Sequence, residues 1–380
     1  MKKILIVIGG FTPAVKYGGP VVSIENMCAL IGDQFDMYIV TRDHDLGSQE
    51  RLKGISEGWN ILENCKFIYI KEADINYKFL LGIVEILNPD CVYINSFFGA
   101  KFTIPILKIA RNKDVPVILA PRGELCVNAL KMKKSKKYMY IHMMKKLYLK
   151  EDFKYQSTSI EESNQIQKVL NVKKENIVNL LNIPTIPKTE IVSSVKLENR
   201  LKCIFLSRIN RKKNLVFAIK ALKGVNLKVE FDIYGPKEDF GYWEEIEEEI
   251  KRLPSNIDVN YKGIVNRENI HETFSKYNIF LFPTLSENYG HVLVESMLSG
   301  CPVVTSDQTP WTDMNDFNAG WAIPLVDEYR FTEVLTRVAA MNQNEYRELS
   351  NNCKKYIYDK LKIEELKSQY LDIFNNLLNK

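Results

Sequence analysis

Two carboxylates eight residues apart, Glu287 and Glu295, mark the stretch of this sequence whose side chains are best suited to chemistry. The apolar run 279–282 before them is typical of a buried strand, and residues 290–299 are typical of a helix ended by Gly300. The helix N-terminus would point into the loop that holds Glu287. Its free N–H groups suit an anion, and carboxylates accept hydrogen bonds from sugar hydroxyls. The alternative is a chance pair, since the helix dipole alone favours a glutamate at a helix start.

A cluster of cations follows another predicted strand, 203–207, and precedes a predicted helix, 215–222. It begins at Arg208 and ends at Lys213. Cations at a helix N-terminus oppose the helix dipole, so their presence predicts a bound anion such as a phosphate or diphosphate. A solvated basic loop is the alternative, above all for Arg211 and Lys212.

Glycines follow several predicted strands. Gly18 and Gly19 come after the first strand, and Pro20 suits the first turn of the helix that follows. The pattern is not G-x-G-x-x-G, so the dinucleotide fingerprint is absent. Gly263 and Gly235 end two later strands, where backbone groups could approach a nucleotide base. Ordinary flexible turns are the alternative at each position.

Short apolar runs alternate with helical patterns along the chain. The predicted strands are 3–8, 37–41, 67–70, 91–94, 117–120 and 155–158, then 203–207, 229–234, 259–262, 279–282 and 303–305. The predicted helices are 21–31, 77–87, 100–111, 215–222, 242–252, 267–276 and 290–299. This alternation predicts an α/β chain with two doubly wound, Rossmann-like domains. Ligands of such sheets bind beyond the carboxyl ends of the strands, and two such domains facing each other would form a central cleft.

The domain boundaries follow from composition. Residues 1–185 form the predicted first domain. Residues 186–199 form a predicted linker, because the stretch 183–195 contains two prolines and shows no helical period. Residues 200–362 form the second domain, and 363–380 form an amphipathic helix that would pack back on the first domain.

Length and composition limit the class of protein. The 380 residues, 46% of them hydrophobic, are enough for two domains with sizeable cores. Seven cysteines without a CxxC pair fit a reducing cytoplasm. The apolar run after Met1 is short and ends in Gly9, which favours a buried strand over a signal peptide. No stretch reaches the roughly 18 to 20 apolar residues of a membrane span.

Residues 131–150 contain eight lysines and no acid. Apolar residues recur among the lysines at helical spacing, namely Tyr140, Ile141, Met144, Leu147 and Tyr148. A basic amphipathic helix is typical of an element that contacts an anionic membrane surface. The alternative is a solvated face above an ordinary core stripe. No RNA- or DNA-binding motif accompanies the charge, so no nucleic-acid partner is predicted.

Taken in order, these features resemble the family 4 retaining glycosyltransferases, which have the two-domain GT-B fold, and especially the members that build bacterial surface polysaccharides. The matching pieces are Gly18-Gly19-Pro20, Ser207-Arg208-Ile209 with Lys213, Gly263-Ile264-Val265, the stretch from Pro283 to Glu295, Ser299 to Val304, Ser306 to Trp311 and Ala319-Gly320-Trp321. The resemblance spans roughly residues 1–330 and is more specific in the second half.

The chain departs from the family pattern at two places. Asn214 stands where many members have a glycine, and Pro121-Arg122-Gly123-Glu124 stands where many members place a histidine. The second departure leaves open whether that segment takes part in catalysis on the acceptor side.

The resemblance implies transfer of a sugar from a nucleotide-diphosphate donor to an acceptor hydroxyl, with retention of the anomeric configuration. Arg208 and Lys213 would hold the diphosphate, Glu287 would contact the sugar and Glu295 the ribose. The remaining substrate contacts would come from Gly18 and Gly19, from Gly263, and from Asn288, Tyr289, Gly290 and His291 at the helix N-terminus. No metal or other cofactor is expected, since no Asp-x-Asp or histidine cluster stands at a suitable metal site.

The predicted protein is thus a cytoplasmic, metal-independent hexosyltransferase that uses a UDP or GDP sugar. Its acceptor would be a glycan or a lipid-linked molecule in cell-surface polysaccharide synthesis, reached at the inner face of the cytoplasmic membrane. A glycosidase-like pair of carboxylates is rejected, because the family pattern assigns Glu295 to the ribose. The alternatives are a GT-B phosphorylase or epimerase, and a non-catalytic protein that binds sugar nucleotides.

Overall fold

The computed structural model describes residues 1–14, 16–131 and 133–378. The chain divides into two compact units. The first consists of residues 1–183 and the C-terminal residues from 363 onward, and the second of residues 184–362.

The first unit is built on an eight-stranded sheet with the order β3-β4-β2-β1-β5-β6-β7-β8. Its strands are β1 (Lys2–Ile8), β2 (Phe35–Arg42), β3 (Trp59–Leu62), β4 (Cys65–Ile70), β5 (Cys91–Asn95), β6 (Val117–Ala120), β7 (Lys154–Ser157) and β8 (Ile177–Asn179). The edge strand β3 pairs antiparallel with β4, and the other pairs are parallel. Residues 4–8 are at most 2% exposed, as expected for a central parallel strand covered on both faces.

Helices cover both faces of this sheet. They are α1 (Gly19–Ile31), α2 (Tyr77–Leu87), α3 (Ala100–Lys113), α4 (Val127–Lys131), α5 (Lys134–Leu147), α6 (Ile160–Leu170) and the C-terminal α13 (Ile363–Leu378). Leu5 and Val7 of β1 pack in a core with α2, α3, α5 and α6. Ile4 and Ile6 point to the opposite face, where they pack in a second core with α1 and α13. Alternate side chains of β1 therefore pack in two separate cores, one on each face of the sheet.

The second unit has a six-stranded parallel sheet with the order β11-β10-β9-β12-β13-β14. The strands are β9 (Arg200–Leu206), β10 (Lys228–Tyr234), β11 (Ile257–Gly263), β12 (Ile279–Phe282), β13 (Val303–Ser306) and β14 (Gly320–Ile323). The helices are α7 (Leu215–Lys223), α8 (Phe240–Lys251), α9 (Ile270–Phe274), α10 (His291–Leu298), α11 (Glu328–Ala340) and α12 (Gln343–Leu361). The predicted fold class, two doubly wound α/β domains, is confirmed.

Several elements differ from the sequence-based expectation. The expectation omitted β3, β8, β14, α6, α11 and α12, and the predicted helix 267–276 is a 3-10 turn followed by the short α9. The segment 186–199, predicted as a linker, packs on the second unit. Ser194 Oγ donates to the carbonyl of Tyr277 at 3.0 Å, and Lys196 Nζ donates to the carbonyl of Ala339 at 2.8 Å. Pro187 disfavours a helix in this segment, but Ser194 and Lys196 still have hydrogen-bond partners in the second unit.

Among the described residues, no helix combines the length and the apolar character needed to cross a bilayer.

Candidate functional site

The candidate site of the second unit lies where its strand order reverses. The first strand, β9, is flanked by β10 on one side and β12 on the other. In doubly wound sheets, the loops that follow the strands at such a switch point enclose the ligand. Here those loops are residues 207–214 and 283–290, which contain Arg208, Lys213 and Glu287.

Lys213 and Glu287 form an ion pair within this crevice, through Nζ and Oε1. Their side chains are 11% and 13% exposed, and Lys213 Nζ also lies 5.3 Å from the centre of the Phe282 ring. The structure therefore brings together two residues that the sequence places 74 positions apart. The sequence did not predict that they would contact each other.

Backbone and amide contacts fix the position of Lys213. The Asn210 side chain accepts a hydrogen bond from the Lys213 N–H at 3.3 Å. Asn214 has a left-handed backbone with φ of 59°, and its Nδ2 donates to the Pro283 carbonyl at 3.0 Å. Asparagine tolerates this left-handed conformation better than most residues other than glycine do. Leu285 N donates to the carbonyl of Lys212 at 2.9 Å, so the two loops are joined directly.

Arg208 lies at a more open position. Its Nη1 is 3.3 Å from Glu238 Oε1, and its side chain is 36% exposed. Asn210 Nδ2 donates to the other Glu238 oxygen at 2.7 Å. Glu238 follows β10, and sequence reasoning missed it because nothing in that segment resembles a motif. Arg208 and Lys213, the two residues predicted to hold the diphosphate, thus each contact a carboxylate. A bound diphosphate would share these cations with the carboxylates or displace them.

Arg211, the next cation in the cluster, is part of the surface. It donates to Glu245 on α8 at 2.9 Å, and its guanidinium lies 5.2 Å from the centre of the Tyr242 ring. This geometry matches the alternative of a solvated basic loop.

The loop before α10 depends on a glycine and on packed aromatic rings. Gly290 has φ of 78°, and a Cβ there would lie 2.7 Å from Leu293 Cδ1. The Tyr289 ring lies 4.8 Å from the His291 ring and 5.5 Å from Trp311. Trp311 Nε1 donates to the Tyr289 carbonyl at 2.6 Å. Tyr289 and His291 are 3% and 8% exposed, so their rings hold the loop together, while Asn288 is partly exposed.

Glu295 lies on α10 and is only 2% exposed. Thr185 Oγ1 donates to Glu295 Oε1 at 3.0 Å, and Arg267 Nη2 donates to the same hydroxyl at 3.3 Å. Burial raises the pKa of the Glu295 carboxyl, against the opposing influence of Thr185 and of the Arg267 guanidinium. Sequence reasoning missed both partners, because Thr185 adjoined the predicted linker and Arg267 began a predicted helix.

The glycines that were predicted to contact the substrate lie on different elements of the fold. Gly263 ends the edge strand β11 with φ of 82°, and no neighbouring atom lies within 4 Å of the place that a Cβ would take there. Gly18 and Gly19 belong to the first unit, where Gly18 has φ of 62° and precedes α1. They follow β1, which lies at the switch point of that unit's own sheet.

Within the part of the chain that the structure describes, no group of three or more His, Cys, Asp or Glu side chains could hold a metal ion.

Part of the second unit is similar to a known family. Residues 187–360 match the family model described as glycosyl transferases group 1. An uncharacterized 41.2 kDa protein in the cps region of Klebsiella pneumoniae is 22% identical over 299 residues, 76% of this chain and 79% of the relative. The poly(glycerol-phosphate) alpha-glucosyltransferase of Bacillus subtilis is 32% identical over 111 residues, 28% of this chain and 16% of the relative.

Solved structures agree in fold over nearly the whole chain. HepE of Anabaena, in complex with UDP and glucose, has a TM-score of 0.72 and 13% identity, and the match covers 99% of this chain and 100% of that one. A TarM variant of S. aureus, in complex with Fondaparinux, alpha-GlcNAc-glycerol and UDP, has a TM-score of 0.69 and 16% identity, with 100% of each chain covered. These likenesses establish the GT-B fold.

Proposed function

We propose that this protein is a retaining hexosyltransferase of the glycosyl transferases group 1. The proposal is supported by the match of residues 187–360 to that family model and by the GT-B fold. It would move a sugar from a UDP or GDP sugar to a hydroxyl of a glycan or lipid-linked acceptor, in the synthesis of cell-surface polysaccharide. Two relatives support this role. One is encoded in a cps region, and the other is named for glucosyl transfer to poly(glycerol phosphate).

The observation that carries the proposal is the largely buried ion pair between Lys213 and Glu287 at the switch point. A donor bound there would place its diphosphate against Lys213 and its sugar against Glu287. As the bond between sugar and diphosphate breaks, negative charge grows on the departing phosphate. A fixed cation in a site shielded from water stabilises this charge more than it stabilises the substrate, and so lowers the barrier.

The proposed step uses no protein nucleophile. The acceptor oxygen bonds to the anomeric carbon on the face from which the phosphate leaves, and the acceptor proton passes to the departing phosphate oxygen. Glu287 is ion-paired and Glu295 accepts from Thr185, so neither is arranged as the acid and base of a glycosidase. Arg208 and Lys213 supply the positive charge, and for that reason we propose that no metal or other cofactor is required.

We also propose the remaining contacts with the donor that the family resemblance implies. Glu295 would accept hydrogen bonds from the ribose hydroxyls, and Gly263 would leave its backbone open to the base. Asn288 and the backbone of Tyr289, Gly290 and His291 would meet the sugar or phosphate. Gly18 and Gly19 would contribute backbone contacts from the first unit.

The basic segment of the first unit is proposed to contact an anionic membrane surface at the inner face of the cytoplasmic membrane. Lys133, Lys134 and Lys136 are exposed, as are the apolar side chains Met139 (71%) and Leu147 (50%). Lys137 is occupied by the carbonyl of Ala129, to which its Nζ donates at 2.7 Å. Exposed cations beside exposed apolar groups suit a surface that offers both anionic headgroups and acyl chains.

Vesicle sedimentation tests this contact. Charge reversal of Lys133, Lys134 and Lys136 to Glu should reduce binding to vesicles that contain anionic lipid, because each basic residue near such a surface contributes about 1 kcal/mol. The matched control reverses Lys223, Lys228 and Lys251 in the second unit. Equal sedimentation of the chain with neutral and anionic vesicles would contradict the contact.

The enzymatic proposal is tested by sugar transfer and by donor hydrolysis across a panel of UDP and GDP sugars. Lys213→Ala and Arg208→Ala should each lower kcat by about 10²- to 10³-fold, the usual effect of removing one transition-state donor. The control Arg211→Ala removes a neighbouring cation whose partner lies on the protein surface, and it should retain activity. NMR of the product should show the donor's anomeric configuration. A sugar trapped covalently on Glu287 would overturn the mechanism, and undiminished turnover in Lys213→Ala would overturn the site.

A further inference from the structure

A second group of hydrogen-bond donors lies at the carboxyl edge of the first unit's sheet. Asn95 is the last residue of β5 and stands in register with Ile8 of β1 and Ala120 of β6. Arg122 follows β6 by two residues. The strand order of this sheet reverses between β1 and β5, so Asn95 lies at its switch point.

Arg122 is held there by neutral groups. It has a left-handed backbone, with φ of 56°. Its Nε donates to Asn95 Oδ1 at 2.6 Å, its Nη2 donates to the Tyr93 hydroxyl at 2.7 Å, and its Nη1 donates to Asn182 Oδ1. These bonds account for three of the five N–H groups of a guanidinium. The side chain is fixed in position and keeps further donors available.

The charge of Arg122 lacks an ion-pair partner within the described residues. Two carboxylates are on neighbouring segments, and both accept hydrogen bonds from backbone N–H groups. Glu124 accepts from Phe97 N at 2.6 Å, and Glu162 accepts from the N–H groups of Gly123 and, at 2.8 Å, of Thr158. Neither forms an ion pair with Arg122, and a partly buried cation without an ion pair is unfavourable, so an anionic ligand would stabilise it.

Asn95 adds an independent observation. Its side chain is 4% exposed, and its Oδ1 accepts from Arg122. This bond fixes the orientation of the amide, because an N–H must face an oxygen. Its Nδ2 is then buried and has no hydrogen-bond partner in the described part of the chain. An orphaned buried donor is rare and calls for an explanation.

We propose that Arg122 and Asn95 form a binding site for an anionic oxygen group, a phosphate or a carboxylate, carried by a substrate. The guanidinium fork and the amide N–H offer donors of the kind that such oxygens accept, and the anion would balance the charge of Arg122. The inference rests on the proposed function for the source of the anion, which is either the acceptor or the donor diphosphate. A neutral hydroxyl could satisfy Asn95 but would leave the charge of Arg122 unbalanced.

The variant Asn95→Asp separates binding from structure. It keeps the oxygen that accepts from Arg122 and puts a second carboxylate oxygen in place of the orphaned Nδ2. A purely structural Asn95–Arg122 contact would be preserved or strengthened by the added charge. An anion site, in contrast, would be filled by the variant's own carboxylate.

The first measurement uses inorganic phosphate and needs no turnover. In a Lys213→Ala background, which weakens the phosphate site of the second unit, phosphate should still raise the Tm, because a ligand that binds the native state stabilises it. Adding Asn95→Asp should weaken this phosphate affinity about tenfold or more, the effect of losing a hydrogen bond to a charged group. The matched control is Asn112→Asp, the same charge change on α3, with potassium chloride of equal ionic strength.

The second measurement identifies the source of the anion. Here Asn95→Asp is made alone, without Lys213→Ala. If this variant has a higher KM for a phosphate-bearing acceptor and an unchanged affinity for nucleoside diphosphate, the site belongs to the acceptor. Weaker nucleoside diphosphate binding assigns it to the donor. Phosphate that stabilises Lys213→Ala and its Asn95→Asp derivative equally, or stabilises neither, overturns the site. Because that result is obtained without catalysis, it is distinct from a failure of glycosyl transfer.

Discussion

The sheets of the two units both have a switch point, but charge is arranged differently at each. In the second unit, Lys213 is paired with Glu287 and Arg208 with Glu238, so both cations already contact carboxylates. In the first unit, Arg122 donates to the neutral oxygens of Asn95, Tyr93 and Asn182, and Asn95 keeps an unused buried donor. Doubly wound sheets thus offer the same position to a ligand, while the loops decide whether it meets a balanced or an unbalanced set of charges.

The largest effect on stability should come from breaking the ion pair between Lys213 and Glu287. Lys213→Ala should lower the free energy of unfolding by about 3 to 5 kcal/mol, because Glu287 is left as a buried charge without its partner. The double variant Lys213→Ala with Glu287→Ala should lose less than the sum of the single variants. Urea denaturation of the four members of this cycle measures the coupling. Additive losses would show that the two charges act independently.

The corresponding change in the first unit gives the contrast. Asn95→Asp supplies a carboxylate to Arg122 there, and it should leave the free energy of unfolding unchanged or increase it. A large loss of stability in that variant would remove the distinction between a balanced and an unbalanced switch point.

A smaller effect should distinguish the glycine turns of the two units. Gly290→Ala should cost about 2 to 4 kcal/mol, since alanine disfavours its positive φ and a Cβ would press on Leu293. Gly54→Ala in the first unit meets the same backbone preference, with φ of 74°, but no neighbouring atom lies within 4 Å of the place that its Cβ would take. We expect a cost of about 1 kcal/mol there. Thermal unfolding compares the two, and an equal or larger loss in Gly54→Ala would reverse this ranking.

The sequence predicted the central elements well because their signals are local. The apolar run of β12 is bounded by Pro283, and the helix α10 by Gly290 and Gly300, so both boundaries agree with the structure within one residue. The edge strand β3 was missed, because its side chains Trp59 and Ile61 are exposed and show no buried face. Amphipathic patterns far from any motif, as in α11 and α12, were also left unassigned.

The site was predicted as a set of residues but not as a set of contacts. Arg208, Lys213 and Glu287 lie in the expected loops, yet the partner of each cation depends on which strands are neighbours in the sheet. Glu238 and Thr185 come from segments without a motif, and only the folded chain brings them to Arg208 and Glu295. The segment 121–124 departed from the family pattern, but the unused donor of Asn95 became visible only in three dimensions.

The smallest expected effect concerns two buried carboxyls, one in each unit. Glu295 accepts from the Thr185 hydroxyl, whereas Glu124 accepts from Ser96 Oγ and from the backbone N–H groups of Phe97 and Phe98. Burial raises the pKa of both carboxyls. The folded state therefore binds each proton more tightly than the unfolded state does. The stability that each carboxyl contributes is full below the ordinary glutamate pKa of about 4.3 and is lost as the pH rises through the raised value.

Glu295→Gln and Glu124→Gln cannot ionise, so each should flatten this decline in stability between acidic and neutral pH, as measured by urea denaturation across that range. The exposed control Glu328→Gln should leave the profile unchanged. Nucleotide binding then separates the two units: Glu295→Gln should weaken nucleoside diphosphate affinity about tenfold through its ribose contact, and Glu124→Gln should not. If Glu124→Gln weakens the affinity as much as Glu295→Gln does, the carboxyl of the second unit has no special relation to the donor. The difference between the units would then lie only in the cations at their switch points.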